Sequence, residues 1–202
     1  MNCNYNIIFA TNNRHKVNEI NSISCNFSLT INDQSNYHIQ SPIEDGKTFI
    51  ENALIKANNT FRYTKQPVIA DDSGICVEAL DGAPGIYSAR YASPSATDKE
   101  NRTKLLNELQ KASTDNFIAK FACAAVFIDD RLLEPFIAYE EWPGLIIKEE
   151  VGQNGFGYDP IFYDPSLGLT ASEMTQSQKN MVSHRGKAFK KLFEQIAKHI
   201  SL

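Results

Sequence analysis

The sequence predicts a single mixed α/β domain over residues 1–202, and three observations carry that prediction. A short apolar run, Ile7-Ile8-Phe9-Ala10, is followed by a polar turn and then by apolar residues at helical spacing, a strand–loop–helix opening. Helical and strand patterns then mix along the whole chain, with no Pro/Gly/Ser linker, internal repeat or low-complexity block to divide it. Finally, 202 residues with 42% apolar and 22% charged side chains are enough for a continuous core without disulfides or a structural metal.

Each element has its own warrant. Ile7–Ala10 reads as a buried strand, and Val17, Ile20 and Ile23 give the first helix, over Lys16–Ile23. Thr48 and Glu51 form a capping box that opens a helix running to about Tyr63, with Ile50, Ala53, Leu54, Ala57 and Phe61 on one face. Pro67–Ala70 reads as the next buried strand, ending in Asp71-Asp72-Ser73-Gly74. Thr97 and Glu100 form a second capping box, for a helix to about Leu109. Phe117–Ile128 and Leu132–Tyr139 flank Asp129-Asp130-Arg131 as a hairpin, and Leu145-Ile146-Ile147 reads as a further strand. Phe189, Leu192, Phe193, Ile196 and Ile200 mark a last amphipathic helix over Ala188–Ile200.

Twenty Lys and Arg against 24 Asp and Glu leave a formal charge of −4. That balance argues against a general binder of nucleic acid or of an anionic membrane, but not against a small phosphate-bearing ligand met by a local basic cluster. Cys3, Cys25, Cys76 and Cys123 lie far apart, without C-x-x-C or zinc spacing, and read as free thiols of a reducing cytoplasm. The N-terminal residues lack a basic leader region, and no apolar stretch is long enough to span a membrane.

Five polar segments stand out. Asp71-Asp72-Ser73-Gly74 sets two carboxylates side by side, and on a strand only one of them faces each side. Such a pair suits Mg²⁺, a hard cation held by one or two carboxylates together with substrate phosphates; equally, it suits an Asx-turn closing a strand. Gly82–Tyr91 reads as a rigid loop whose Tyr87, Arg90 and Tyr91 either face a pocket or pack on the surface. In Gly155-Phe156-Gly157-Tyr158-Asp159-Pro160, the glycines let the backbone approach a planar ligand, Phe156 can stack on a base and Asp159 can accept from its ring N–H; a plain hairpin turn is the bland alternative. Lys179 and Ser183-His184-Arg185-Gly186-Lys187 form a basic cluster, while Lys190, Lys191 and Lys198 read as a solvated helix face. Thr11-Asn12-Asn13-Arg14-His15-Lys16 joins the first strand to the first helix, where N–H groups with Lys16 and Arg14 suit phosphates; taken alone it reads as an ordinary polar loop. Walker A, G-x-G-x-x-G, G-x-S-x-G and H-E-x-x-H patterns are all absent.

Taken in order, these segments, together with Thr48–Ala57, resemble the inosine triphosphate pyrophosphatase family, the non-canonical purine nucleoside triphosphate pyrophosphatases. The similarity spans nearly the whole chain. It implies an elongated mixed central sheet flanked by helices, two lobes with a nucleotide cleft between them, and a homodimer. It also implies Mg²⁺-dependent hydrolysis of ITP, dITP or XTP to the monophosphate and pyrophosphate, which removes deaminated purines from the nucleotide pool. By the same resemblance Asp72 binds metal and accepts the proton of the attacking water, with Glu44 or Asp45 as a further metal ligand. Ser73 contacts substrate, and Thr11, Asn13 and Lys16 belong to a phosphate loop that also takes in Asn12, Arg14 and His15. Phe156, Gly157, Tyr158 and Asp159 form the base-binding stretch, and Lys179, His184 and Arg185 read a 6-keto purine. Asn12 stands where the family commonly has Gly; if that position needs a positive φ, Asn is the cheapest substitute. Competing readings are a pyrophosphatase for modified pyrimidine nucleotides, which the His184-Arg185 and Phe-Gly-Tyr-Asp motifs speak against; a nucleic-acid module, which the net charge speaks against; and a non-catalytic nucleotide sensor, which would bind nucleotide without releasing pyrophosphate.

Overall fold

The computed structural model describes residues 5–112 and 117–200, so Cys3 and its neighbours Met1–Asn4 lie outside the described residues. Among the described residues, seven strands form one mixed sheet in the order β2-β1-β3-β4-β5-β6-β7. They are β1 (Tyr5–Phe9), β2 (Leu29–Asp33), β3 (Val68–Val77), β4 (Ile118–Ile128), β5 (Phe136–Ile146), β6 (Phe162–Asp164) and β7 (Leu169–Thr170). The helices are α1 (Arg14–Ser24), α2 (Phe49–Thr64), α3 (Asp98–Leu109), α4 (Gln176–Val182) and α5 (His184–Ile200). β1 runs parallel to β2 and to β3, with Tyr5 opposite Leu29 and Ile8 opposite Val68. β5, β6 and β7 pair antiparallel.

The chain divides into two compact units. One gathers the chain up to Asp72, Cys123–Glu140 and the chain from Arg185; the other gathers Ser73–Ala122 and Glu141–His184. Each has its own core. In the first, Ile7 and Phe9 of β1 pack with Ile20 of α1 and Phe189 and Phe193 of α5. In the second, Trp142, Phe121, Phe162 and Ile161 pack with Leu105 and Leu109 of α3. Fully buried runs such as Ile7-Ile8-Phe9 are what a strand covered on both faces requires.

Four local expectations change. Asp71-Asp72-Ser73-Gly74 does not end a strand but lies in the middle of β3, between β1 and β4, which excludes the Asx-turn. Polar residues and Gly lower strand propensity, but here the ladder and the flanking Ile69 and Ile75 carry the strand through. Leu145-Ile146-Ile147 is no separate strand; β5 continues through Pro143 to Ile146. Pro143 is exposed, and a strand tolerates proline where no ladder N–H is needed. At α2, Thr48 accepts the Glu51 N–H as expected, but Glu51 turns its carboxylate to the Lys47 N–H at 2.6 Å, so the box is only half made. The box at α3 is complete. The hairpin connection is longer than the Asp129-Asp130-Arg131 turn, because β5 begins only at Phe136.

Candidate active site

Alternation along β3 sorts the two carboxylates of the first unit onto different partners. Asp71 receives Lys16 Nζ from α1 at 2.8 and 3.0 Å and Arg185 Nε from α5 at 3.4 Å. Arg185 Nη1 donates to Glu19 at 2.6 Å, and both residues are buried. Lys16 and Glu19 are three residues apart on α1 and so share a helix face. Asp72 meets α2 instead: Lys56 Nζ lies 2.9 Å from Oδ1, and Asn52 Nδ2 donates to Oδ2 at 3.2 Å. The same Lys56 ammonium donates to Glu44 at 3.0 Å.

These environments tune the two acids apart. Burial pushes the Asp71 carboxyl up, but the charges of Lys16, Arg185 and Lys56 outweigh it and hold the group well below the usual carboxylate range. At Asp72 burial prevails over Lys56 and Lys16, and the carboxyl is raised. Lys56 is raised too: burial disfavours its charge, but Asp72, Asp71 and Glu44 keep it an ammonium. A buried carboxylate of raised basicity beside a lysine is suited to accepting a proton. Burial pushes the Cys123 thiol up, which disfavours the nucleophilic thiolate.

The segment before α1 is built by its own side chains. Thr11 Oγ1 accepts the Asn13 N–H at 3.1 Å, and Asn13 caps the helix by accepting the His15 and Lys16 N–H groups at 2.9 and 3.2 Å. The first helix donors are thus already met by Asn13. Asn12 is absent from the positive-φ residues, so it needs no glycine-like conformation; it links Gln34 and Ser41 through bonds of 3.1 Å each. Arg14 and His15 are exposed, whereas Lys16 turns in to Asp71.

A second constellation lies in the other unit. Lys179 on α4 pairs with Asp159 at 2.6 Å, both nearly fully buried, and its ammonium stands 4.9 Å from the centre of the Phe156 ring. Asp159 also accepts the Phe156 N–H at 2.9 Å. Tyr158 is anchored in the fold, its hydroxyl donating to the Ser88 carbonyl at 2.9 Å. His184 lies flat against Phe121, with ring centres 4.7 Å apart and planes 10° apart. Sequence neighbours therefore part company: His184 joins the aromatic core of the second unit, while Arg185 joins Glu19 and Asp71 in the first. Ser73 is half-buried in β3. Tyr91 packs on the second core, while Tyr87 is exposed with Arg90 over its ring at 5.4 Å.

Among the described residues, no group of three or more His, Cys, Asp or Glu is placed to hold a metal ion. The first unit offers a pair, Glu44 and Asp72, sharing the positive charge of Lys56; Asp45 is exposed. Two carboxylates already gathered round a cation fit a hard ion that completes its shell with water and phosphate oxygens. Sequence reasoning assigned no role to Glu19, whose signal is an acid beside Ile20 and Ile23 on the buried side of α1. It also missed Asp98 and Arg102 on α3, which reach the Gly157 peptide; no local pattern announces them.

The model of the family described as Ham1p_like, the Ham1 family, matches residues 7–195. Proteins named dITP/XTP pyrophosphatase from Shigella flexneri and Photorhabdus laumondii are 46% and 47% identical to this chain over 191 residues, covering 93% of it and 96% of each relative. The solved structure of a HAM1 protein from Coxiella burnetii superposes with a TM-score of 0.88 at 37% identity, covering 96% of this chain and 99% of that one.

Proposed function

The chain belongs to the Ham1 family, and from that premise we propose that it hydrolyses non-canonical purine nucleoside triphosphates, dITP, ITP and XTP, to the monophosphate and pyrophosphate. The observation that carries the reading is the sharing of one partly buried ammonium, that of Lys56, by Glu44 and Asp72. The activity named for the relatives supplies the substrate class. Glu44 and Asp72 would hold Mg²⁺, which when bound supplies neutralisation of the charge that develops on the departing pyrophosphate.

Asp72 takes the proton of the attacking water at its carboxylate, and burial makes it the better base for that step. Lys16 and Lys56 offset phosphate charge. Phe156 stacks on the purine, and Lys179, held by Asp159, donates toward the oxygen at C6. Adenine carries an amino group there, so donor would meet donor at a cost of about 1–3 kcal/mol. We place the enzyme in the cytoplasm as a homodimer; the free thiols Cys25, Cys76 and Cys123 accord with a reducing compartment.

The test is product analysis from dITP with Mg²⁺, then with EDTA, then with Mg²⁺ restored. Deoxyinosine monophosphate and pyrophosphate should form, cease with chelation and return with the ion. Orthophosphate as the first product, or turnover indifferent to EDTA, would count against the reading.

A further inference from the structure

We propose that Asp98 and Arg102 of α3 are positioning residues that grip the Gly157 peptide and thereby set the Phe156 ring for the purine; this rests on the base-stacking role of Phe156 proposed above.

The grip takes both polar ends of one residue. The Gly157 N–H donates to Asp98 Oδ2 at 2.7 Å, and the Gly157 carbonyl accepts from Arg102 Nη1 at 2.7 Å. Asp98 and Arg102 are four residues apart on one helix, so they project from the same face. The rest of the Arg102 fork is held by Glu150, with Nε to Oε1 at 2.9 Å and Nη2 to Oε2 at 3.0 Å. A guanidinium fixed bidentately on one carboxylate presents its remaining donor in a set direction.

The target is one that needs holding. Gly157 has φ +62°, and a glycine peptide is the most costly in entropy to fix. Residues 151–155 before it are exposed and are held by hydrogen bonds at Val151 and Asn154 rather than by a packed core. The support, by contrast, is rigid: Leu105 and Leu109 bury α3 in the core, and Asn101 accepts the Ala92 N–H at 2.8 Å. Thr97, not Asp98, caps α3, so the Asp98 carboxylate is not consumed by the helix start. Phe156 is thus bracketed, its own N–H held by Asp159 and the next peptide held by α3. Pre-ordering of this kind lowers the entropy that a ligand must supply on binding.

The experiment compares Asp98→Ala, Arg102→Met and the conservative Asp98→Asn, which keeps an acceptor oxygen, with the wild-type chain. Amide exchange at Gly157 and the split between kcat and KM for dITP are read, with the unfolding midpoint from Trp142 emission as the control for the fold. The first two variants should speed Gly157 exchange and raise KM about tenfold, with kcat changed by no more than about twofold; Asp98→Asn should recover most of both. Unchanged exchange would overturn the grip itself. Faster exchange with an unchanged KM would overturn its service to the base site. A wild-type chain that released no pyrophosphate from dITP would count against the proposed function, while the exchange rates still judge the grip.

Discussion

Asn52 donates its side-chain amide to Asp72 Oδ2 at 3.2 Å and accepts the Gly46 N–H on its carbonyl oxygen at 2.9 Å. The residue is fully buried, so it ties the segment carrying Glu44 to the strand carrying Asp72. Removing it leaves the partly buried Gly46 N–H without its acceptor and the buried Asp72 Oδ2 without this donor. Asn52→Ala should lower unfolding free energy by about 1–3 kcal/mol. Urea titration checks this; an unchanged midpoint would show that the amide ties nothing.

The adjacent carboxylates of β3 should behave differently when neutralised. Asp72→Asn keeps shape and one acceptor, so it should cut kcat by about 10²–10⁴-fold and leave the thermal midpoint close to that of the wild-type chain. Asp71→Asn removes the charge facing both Lys16 and Arg185 in a buried setting. It should cost about 3–5 kcal/mol of stability. Parallel melting curves and steady-state rates separate the two; equal losses of stability would contradict the assignment.

A pH effect follows from Asp164, which accepts the indole N–H of Trp142, the only tryptophan in the chain, at 2.8 Å. Burial pushes the Asp164 carboxyl up, but hydrogen bonds from Ser166 and Trp142 outweigh it, and the group sits below its ordinary value of 3.8. The folded state therefore binds this proton less tightly than the unfolded state. Its contribution to stability is complete above the unfolded value and is lost as pH falls through the folded one. Asp164→Asn should flatten that acid segment of the stability curve, read by Trp142 emission in urea. An identical pH dependence in the variant would contradict the assignment.

Two glycines of the Phe156 loop separate steric from conformational cost. A Cβ on Gly155, where φ is +77°, would lie 2.0 Å from Asp159 Oδ2. At Gly157, with φ +62°, a Cβ meets nothing within 4 Å. Gly157→Ala should therefore cost only the left-handed backbone penalty of about 1–2 kcal/mol. Gly155→Ala should cost more, and should displace Asp159 from Lys179 as well. Urea midpoints rank the pair, and the reverse order would overturn the argument.

Much of this was legible in the sequence because it rests on local rules. The α3 capping box, the amphipathic α5 and the buried runs of β1 and β3 follow from periodicity and end chemistry. Even the opposite facing of Asp71 and Asp72 follows from the period of two. What stayed hidden depends on tertiary context. A Pro-Gly pair reads as a break, yet β5 passes through Pro143-Gly144 because the ladder tolerates it there. Adjacent residues such as His184 and Arg185 look like one motif, but one stacks on Phe121 and the other pairs with Glu19. Asp98 reads as an ordinary first-turn helix acid; only the folded chain shows Gly157 beside it.

The most direct measurement is pyrophosphate release from dITP, XTP, GTP and ATP by the wild-type chain with Mg²⁺, under matched conditions. dITP and XTP should show the highest kcat/KM and ATP the lowest, because its 6-amino group opposes the Lys179 donor. Equal turnover of all four, or none from any of them, would contradict this expectation.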